Sequence, residues 1–273
     1  MSFGAVLTSS NTVGYQLLGV TSENMYNWKV STFDKVGSGV TTLGDISVDD
    51  DFGASYLSFL NPDGTTKTFS IPEIIAEGGE PVAGFNYLNA EAAADAGLDA
   101  PGWYYIDTEY TFSYYCFNDV EVPFGSMFYI EAEGPANIVS SGTVAAEAQP
   151  IEVTSDKQFN FTGNCSPSDL TLGDIGVDSD FGGSLLSFLN PDGTTKTFSI
   201  PEIIAEGGEP VSGFNYLNEE DAADLGLAGP GWYYIDAEYT YSYYSFNSVS
   251  VPAGSMFYIE AEGPANVIIP SAL

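Results

Sequence analysis

The sequence predicts a mainly β protein, built as two tandem β-sandwich domains of the Greek-key or jelly-roll kind, each with a short helical insertion. Three observations lead to this prediction. The segment SFLNPDGTTKTFSIPEIIAEGGEPV occurs twice without change, at 58–82 and at 187–211. Aromatic residues make up 14% of the chain, and aromatic side chains pack well on pleated strands. Turn-forming residues also separate the strand-like stretches, as the NPDG tetrapeptide at 61–64 does.

The internal repeat sets the expected domain organisation. A shift of 129 residues aligns the chain with itself without a gap, and about four-fifths of the positions from Asp45 to Ile138 are identical. The leading parts, 11–41 and 140–170, show little identity. A period this long indicates tandem domains, because solenoid repeats are about 20–50 residues long. We therefore expect an N-terminal extension at 1–10, a first β domain at 11–139 and a second at 140–273.

The strands follow in order along each repeat. The opening stretches NTVGYQLLGV and NWKVSTFDKV are strand-like. Apolar stretches on both sides of NPDG predict a β-hairpin, since Pro presets φ and Gly accepts a positive φ. The stretch GWYYIDTEYTFSYYCF predicts a second hairpin or a pair of long strands, and SMFYIEAEG predicts a further strand.

One short helix interrupts the strands of each repeat. Asn89 is a good N-cap residue, and Gly97 is a good residue for ending a helix. In the second copy Glu219 and Glu220 lie in the first turn, where the helix dipole favours acidic side chains. Pro72 is suited to the first position of a further helical turn.

The charge balance excludes several classes of partner. The chain has 38 acidic residues, five lysines and neither Arg nor His, for a net charge of −33. Nucleic acids and anionic membrane surfaces should therefore be repelled. No apolar run of 18 or more residues predicts membrane insertion. The opening MSFGAVLTSSNTVGY shows no signal peptide. Either the signal has been removed from a protein that is extracellular or on the cell surface, or the protein stays inside.

No catalytic motif stands out, and we expect that the protein is not an enzyme. Histidine is absent, which removes the usual base of nucleophilic triads and the usual ligand of zinc sites. Neither a P-loop nor a dinucleotide fingerprint is present. A pair of carboxylates for glycoside hydrolysis remains open, although nothing in the sequence singles out one pair.

Two acidic turns form the strongest ligand-like pattern. They are DISVDDDFGAS and DIGVDSDFGGS, in which Asp49, Asp51, Asp178 and Asp180 are the candidate metal ligands. Their spacing resembles the opening of a calcium loop, but Gly stands where the third oxygen ligand is needed. Ca²⁺ is the candidate ion, and the alternative is a solvated acidic turn between strands.

The cysteines and aromatic residues allow two interpretations each. Cys116 and Cys165 are not equivalent positions of the repeat, and they form either a disulfide between the halves or two buried free thiols. The stretches PGWYYID and YTFSYYCF supply core side chains, contacts for sugars or proteins, or both. NFT at Asn160 and NCS at Asn164 match the N-glycosylation pattern.

Several stretches together resemble the secreted β-domain surface proteins of some environmental and gut bacteria. In order these are NTVGYQLLGV, TTLGDISV, AEAAADAGLDAPGWY, VEVPFGSMFYIEAEGPANI and SSGTV. The resemblance covers almost all of the first repeat and the body of the second. It implies export and a surface or structural role, and no particular activity.

A comparison of the two ends suggests assembly by strand donation. The first repeat ends in NIVSSGTVAAE and the second in NVIIPSAL, so we expect the second domain to lack the SSGTV strand and to be open around Val267, Ile268 and Ile269. The N-terminal segment resembles the missing strand and is the candidate donor to a neighbouring chain; it comprises Ser2, Phe3, Gly4, Ala5, Val6 and Leu7. The alternative is a tail, or a segment that packs on its own chain.

Two function classes follow. The first is a structural subunit of an extracellular filament or surface layer, a homopolymer that grows head to tail. The second is an adhesin or carbohydrate-binding module that holds glycans at two equivalent sites.

Overall fold

The structure is a computed structural model that describes residues 13–20, 27–31, 41–49, 55–108, 113–132, 134–143, 149–156, 159–178, 184–190, 193–237 and 242–270, with the backbone alone at 13–20, 141–143 and 149. We call the described residues from 13 to 143 the first repeat and those from 149 to 270 the second repeat. Both repeats are mainly β, with several antiparallel sheets and a few short helices.

The strands of the first repeat are β1 Val13–Val20, β2 Asn27–Val30, β3 Ile46–Asp49, β4 Ser55–Phe59, β5 Phe85–Leu88, β6 Gly102–Asp107, β7 Ser113–Cys116, β8 Met127–Ala132 and β9 Ala136–Thr143. Those of the second are β10 Gln149–Val153, β11 Asn160–Gly163, β12 Leu170–Thr171, β13 Gly176–Asp178, β14 Ser184–Phe188, β15 Phe214–Leu217, β16 Gly231–Asp236, β17 Ser242–Ser245, β18 Ser250–Val251, β19 Met256–Ala261 and β20 Ala265–Ile269. The α-helices are α1 Pro72–Ala76, α2 Ala90–Asp95, α3 Pro201–Ala205 and α4 Glu219–Asp224, and single 3-10 turns span Leu43–Asp45 and Leu172–Asp174.

Each repeat contains a six-stranded and a three-stranded sheet. The six-stranded sheets have the orders β2-β8-β4-β5-β6-β7 and β11-β19-β14-β15-β16-β17. The three-stranded sheets have the orders β1-β9-β3 and β10-β20-β13, and β12 pairs with β18 in a two-stranded sheet. All of these pairs are antiparallel.

The buried core of each repeat is formed by side chains from both of its sheets. In the first repeat Ile46 and Ile138 of the three-stranded sheet join Leu57 and Phe85 of the six-stranded sheet in one buried cluster. The indole N–H of Trp103, on β6, donates a hydrogen bond of 2.7 Å to the carbonyl oxygen of Ile46. In the second repeat Trp232 makes the same bond to Ile175. Alternation along the strands directs these side chains to one face, where burial stabilises the fold.

Strand pairing corrects the gapless alignment of the leading parts. Asn27 pairs with Ile130, and Asn160 pairs with Ile259. The two isoleucines are 129 residues apart, whereas the two asparagines are 133 apart. The connection from β11 to the 3-10 turn is therefore four residues shorter than the one from β2. A connection can change length at little cost, while the register of a strand with one buried face cannot shift.

The boundary expected between residues 139 and 140 falls inside β9. This strand runs from Ala136 to Thr143 and pairs with β1 along its whole length. In the second repeat β20 corresponds to β9, because Asn137 and Asn266 pair with the equivalent residues Asp49 and Asp178. SSGT is thus the end of β9 rather than a separate strand, and its equivalent in the second repeat begins at Ile269, the last residue of β20, and continues into residues outside the described ones.

Most local expectations are confirmed. The side chain of Asn89 accepts a hydrogen bond of 2.9 Å from the backbone N–H of Ala92, and Gly97 has a positive φ just after α2. Pro72 is the first residue of α1, and β6 pairs with β7 as a hairpin. The NPDG turn forms, but the chain after it makes only an isolated bridge between Leu60 and Thr66, so the hairpin expected there is not a paired ladder.

Candidate functional site

The unchanged 25-residue segment lies mostly on the surface. Between Asn61 and Pro81 in the first repeat, Ile71 alone is buried, and most of the other residues are exposed. Ile75, on α1, is 41% exposed, as is its equivalent Ile204. Packing in the core therefore does not explain why this stretch is the same in both copies.

Exposed positions elsewhere in the repeat do differ between the copies. Ala90 is replaced by Glu219, Asp99 by Ala228 and Thr108 by Ala237, and all of these residues are exposed. The exposed residues of the unchanged segment thus form a surface on which substitutions are absent, beside surfaces on which they are present. We call this exposed part, 61–81 in the first repeat and 193–210 in the second, the invariant face.

The shape of the invariant face depends on α1 and the two glycines after it. Gly78 has a φ of +86°, a left-handed conformation that glycine adopts without strain. A Cβ atom on Gly79 would lie 2.5 Å from Cγ2 of Ile74. The N–H of Gly79 donates to the carbonyl oxygen of Ile74 at 2.9 Å, which ends the helix with a Schellman-type bond. The glycine pair therefore allows the chain to turn tightly after one helical turn.

A cavity of about 570 Å³ opens between this turn and β6. Its lining combines three carboxylates, a phenol, aliphatic side chains and glycine backbone; these residues are Ile74, Glu77, Gly78, Gly79, Glu80, Pro81, Val82, Ala83, Tyr105 and Asp107. We call it the loop cavity. The equivalent positions of the second repeat carry the same residues, with Tyr234 and Asp236 corresponding to Tyr105 and Asp107, except that Ser212 replaces Ala83.

The loop cavity is acidic and aromatic. Tyr105 pairs across the hairpin with Tyr115, and their ring centroids are 6.4 Å apart. Partial desolvation, followed by the nearby carboxylates of Asp107, Glu73 and Glu77, raises the pKa of the Tyr115 hydroxyl. The phenol consequently stays protonated and able to donate a hydrogen bond at neutral pH.

These groups suit a neutral or cationic ligand with hydrogen-bond donors. Carboxylates accept hydrogen bonds, and no described residue of the lining carries a positive charge. Ile74, Val82 and the ring of Tyr105 supply apolar contact area beside the acceptors. Small-ligand sites commonly combine an apolar wall with a few polar groups in this way.

Sequence reasoning missed the loop cavity. The unchanged segment did contain a sign of a surface site. It has a Gly-Gly pair after a one-turn helix and several Glu residues nearby, and these residues are typical of a protein surface rather than of a core. What the sequence did not show is that Tyr105 and Asp107, more than 20 residues later, line the same cavity.

The candidate metal ligands are only partly within the described residues. Asp49 ends β3 and Asp178 ends β13. Asp51 and Asp180 lie outside the described residues, as do their neighbours at 50–54 and 179–183. Within the part of the chain that the structure describes, no group of three or more Cys, Asp or Glu side chains is arranged to hold a metal ion.

The structure describes the candidate acceptor segment but not the candidate donor segment. Residues 1–10 lie outside the described residues. Val267 and Ile268 lie in β20, the central strand of its sheet, where they pair with β10 on one side and β13 on the other. Ile269 pairs with Gln149. The backbone of Val267 and Ile268 is thus already paired on both sides, and the free edges of this sheet belong to β10 and β13.

The cysteines do not form a disulfide. Both are free thiols, and Cys116 is exposed at the end of β7 whereas Cys165 is fully buried. Burial raises the pKa of the Cys165 thiol, so it stays protonated. The alternative of two buried thiols is therefore correct for Cys165 and wrong for Cys116, which lies at the edge of its sheet.

Both glycosylation patterns are buried. Asn160 is 3% exposed and Asn164 is fully buried. The amide of Asn164 donates to the carbonyl oxygens of Ser168 and Val251, and its oxygen accepts from the N–H of Ser166. These asparagines hold the backbone of the second repeat together rather than offering a site for a glycan.

The aromatic stretches divide between core and surface. Trp103 and Trp232 are fully buried, and Tyr104 and Tyr233 are nearly so. Tyr105, Tyr114 and Tyr115 remain partly exposed. Alternation along β6 and β7 accounts for part of this division, and the position of β7 at the sheet edge accounts for the rest.

In the described residues no helix is both long and apolar enough to span a membrane. No protein-family model matches the chain, and neither a curated protein nor a solved structure is detectably similar to it.

Proposed function

We propose that the protein is a non-catalytic binding module of the cell exterior that holds its ligand at two equivalent loop cavities. The observation that carries this proposal is the invariant face, which is exposed and unchanged although nearby exposed positions differ between the copies. A surface that binds the same ligand twice must keep the same contacts twice, and two linked sites raise the overall affinity.

We further propose that each repeat is a separate β-sandwich domain. The two largest buried clusters support this, since each draws its side chains from the six-stranded and three-stranded sheets of one repeat, while a smaller cluster joins Val30 and Met127 to Cys165 and Met256 across the contact between the repeats. Rigid β scaffolds commonly carry their binding residues on connecting loops, and the invariant face is such a connection.

The ligand class that fits the loop cavity best is a neutral carbohydrate. Sugar hydroxyls donate hydrogen bonds to carboxylates, and the faces of sugar rings pack against aromatic rings such as that of Tyr105. Acidic sugars would be repelled by Glu77, Glu80 and Asp107.

Substitution of the two equivalent tyrosines tests the proposal. A glycan array identifies a binding sugar, and calorimetry then measures its stoichiometry on the unaltered chain. We expect Tyr105→Ala and Tyr234→Ala each to halve the number of bound ligands, and the double variant to abolish binding. Thr108→Ala is the matched control, because it introduces the alanine that the second repeat has at the exposed position 237. Full binding by the double variant, or no neutral glycan bound at all, would refute the proposal.

A second candidate is a structural subunit of an extracellular filament or surface layer that polymerises head to tail. The observation that favours it is the difference between the three-stranded sheets. β1 and β9 share eight residue pairs, whereas β10 and β20 share five. Among the described residues the sheet of the second repeat is thus shorter, and its outer strands β10 and β13 each have one edge that pairs with no other described strand.

Strand addition at such an edge would join one chain to the next. The donor proposed is the segment 1–10 of the neighbouring chain. Deletion of these residues should abolish fibres seen by negative-stain microscopy while leaving glycan binding intact. Fibres of unchanged length after the deletion would rule out this mode of assembly.

A further inference from the structure

A second cavity, of about 200 Å³, lies where the two repeats meet. The first repeat contributes Trp28 and Lys29 from β2, and the second contributes Asn190, Lys196, Ser250 and Ser255 among other residues. It is separate from the loop cavity, and we call it the junction cavity.

The junction cavity concentrates positive charge in an acidic protein. Two of the five lysines of the chain line it, and no acidic residue lines it among those that the structure describes. No carboxylate among the described residues forms an ion pair with Lys29 or Lys196. The ammonium group of Lys196 lies 5.1 Å from the centroid of the Phe198 ring. Lys29 is partly buried, and desolvation lowers the pKa of its ammonium group.

The ring of Trp28 forms part of the cavity wall. Its Nε1 atom is buried and has no hydrogen-bond partner among the described residues, and a Cβ atom on Gly193 would lie 2.7 Å from it. The cavity therefore does not reach the indole N–H. By contrast, the buried indoles of Trp103 and Trp232 each donate to a carbonyl oxygen at 2.7 Å.

The residues that correspond to the lining of the junction cavity when the two repeats are exchanged have a different charge. Lys29 corresponds to Thr162, Lys196 to Lys67, and Ser250 to Glu121. The described lining of the junction cavity therefore carries two lysines and no acidic residue, whereas the corresponding set carries one lysine and one acidic residue. Both differences make the junction cavity the more positive of the two.

We propose that the junction cavity binds a small oxyanion, such as a carboxylate or sulfate group, between Lys29 and Lys196 and beside the ring of Trp28. The anion would supply the counter-charge that neither lysine receives from a carboxylate of the described residues. Each chain would have one such site, in contrast to the paired loop cavities, and the proposal does not depend on their function.

Trp28 reports on the occupancy of this site. The other two tryptophans are fully buried and already hydrogen-bonded, so a change in fluorescence on adding anion would arise at Trp28. The full-length protein is titrated with sodium sulfate, acetate and glucuronate at constant ionic strength, up to about 10 mM. We expect a saturable change with a dissociation constant of about 1 mM or lower for at least one of them.

Variants in which a lysine is replaced by a neutral residue distinguish anion binding at this cavity from nonspecific attraction of anions to lysines. Lys29→Met and Lys196→Met keep the aliphatic stem and should each weaken binding at least about tenfold. Lys67→Met is the matched control and should leave binding unchanged, because Lys67 is the equivalent of Lys196 in the first repeat. Thermal unfolding checks that each variant is folded.

Binding of glucuronate alone would identify a sugar acid as the ligand, and binding of sulfate as well would identify a general oxyanion site. No saturable change with any of the three anions, or equal loss in the Lys67→Met variant, would overturn the proposal.

Discussion

Trp28 and Phe161 occupy equivalent positions in the two repeats and stack on each other, with ring centroids 6.5 Å apart and ring planes at 22°. Each ring also lies against a glycine of the other repeat, Phe161 against Gly64 and Trp28 against Gly193. A Cβ atom on Gly64 would meet Phe161, and one on Gly193 would meet Trp28, at less than 3 Å in both cases. The contact between the repeats is therefore approximately two-fold symmetric, as in an isologous dimer joined into one chain.

This stacked pair should contribute measurably to stability. We expect Trp28→Ala and Phe161→Ala each to lower the free energy of unfolding by about 2–4 kcal/mol, because each removes a large ring from the buried contact. The loss in the double variant should be smaller than the sum by about 0.5–1.5 kcal/mol, the coupling typical of an aromatic pair. Urea denaturation measures these differences. Tyr114→Ala, on β7, should be additive with Trp28→Ala, and strict additivity of the stacked pair would show that the rings do not interact.

The two thiols should differ in reactivity. In the native protein a chromogenic disulfide reagent should titrate Cys116 only, since Cys165 is fully buried and its raised pKa keeps it protonated. Both thiols should react in urea. Cys116→Ser introduces the residue found at the equivalent Ser245 and should abolish the native reaction. Two reactive thiols in the native state, or none, would contradict the structure.

Asn164 should be essential for the second repeat. Asn164→Ala leaves two carbonyl oxygens and one N–H without their partners, and we expect a loss of about 2–4 kcal/mol in the free energy of unfolding. Asn61→Ala is a control in which an exposed amide is removed, and its effect should stay within about 0.5 kcal/mol. Thermal or urea denaturation distinguishes the two. Equal effects would mean that the bonds of Asn164 contribute no net stability.

The 3-10 turn of the second repeat should give a pH-dependent contribution. The hydroxyl and the backbone N–H of Thr171 both donate to a carboxylate oxygen of Asp174, at 2.7 and 2.8 Å, and these bonds lower the pKa of Asp174. The ionised form is thus favoured in the folded state. Its stabilisation is fully present above the unfolded pKa of about 3.9, and it is lost as the pH falls through the folded value.

Asp174→Asn should therefore destabilise the protein by about 0.5–1 kcal/mol at neutral pH, and the difference from the unaltered chain should shrink at acidic pH. Urea denaturation at a series of pH values measures this difference. Asp156→Asn, at an exposed position, is the matched control for the loss of one negative charge. If the difference in the free energy of unfolding between Asp174→Asn and the unaltered chain did not change with pH, the ionised carboxylate of Asp174 would not be the source of the stabilisation.

Local sequence determined the secondary structure well. Asn89 ends up as an N-cap, Pro72 as a first helical residue and NPDG as a turn, because each depends on hydrogen bonds and dihedral angles within a few residues. The repeat also indicated correctly that Trp103 and Trp232 occupy equivalent environments, since both bury their rings and donate to a carbonyl oxygen in the same way.

Only the tertiary structure decided what depends on distant partners. The register of Asn27 and Asn160 revealed the shorter connection, because pairing with Ile130 and Ile259 is set by which face of the strand is buried. Likewise the loop cavity and the junction cavity join residues far apart in the chain. Alternation within a strand shows that a side chain points to one face or the other, but not which neighbour it meets there. For that reason the sequence by itself determined the elements of this protein and their duplication, while its cavities and the symmetric contact of Trp28 with Phe161 emerged only from packing.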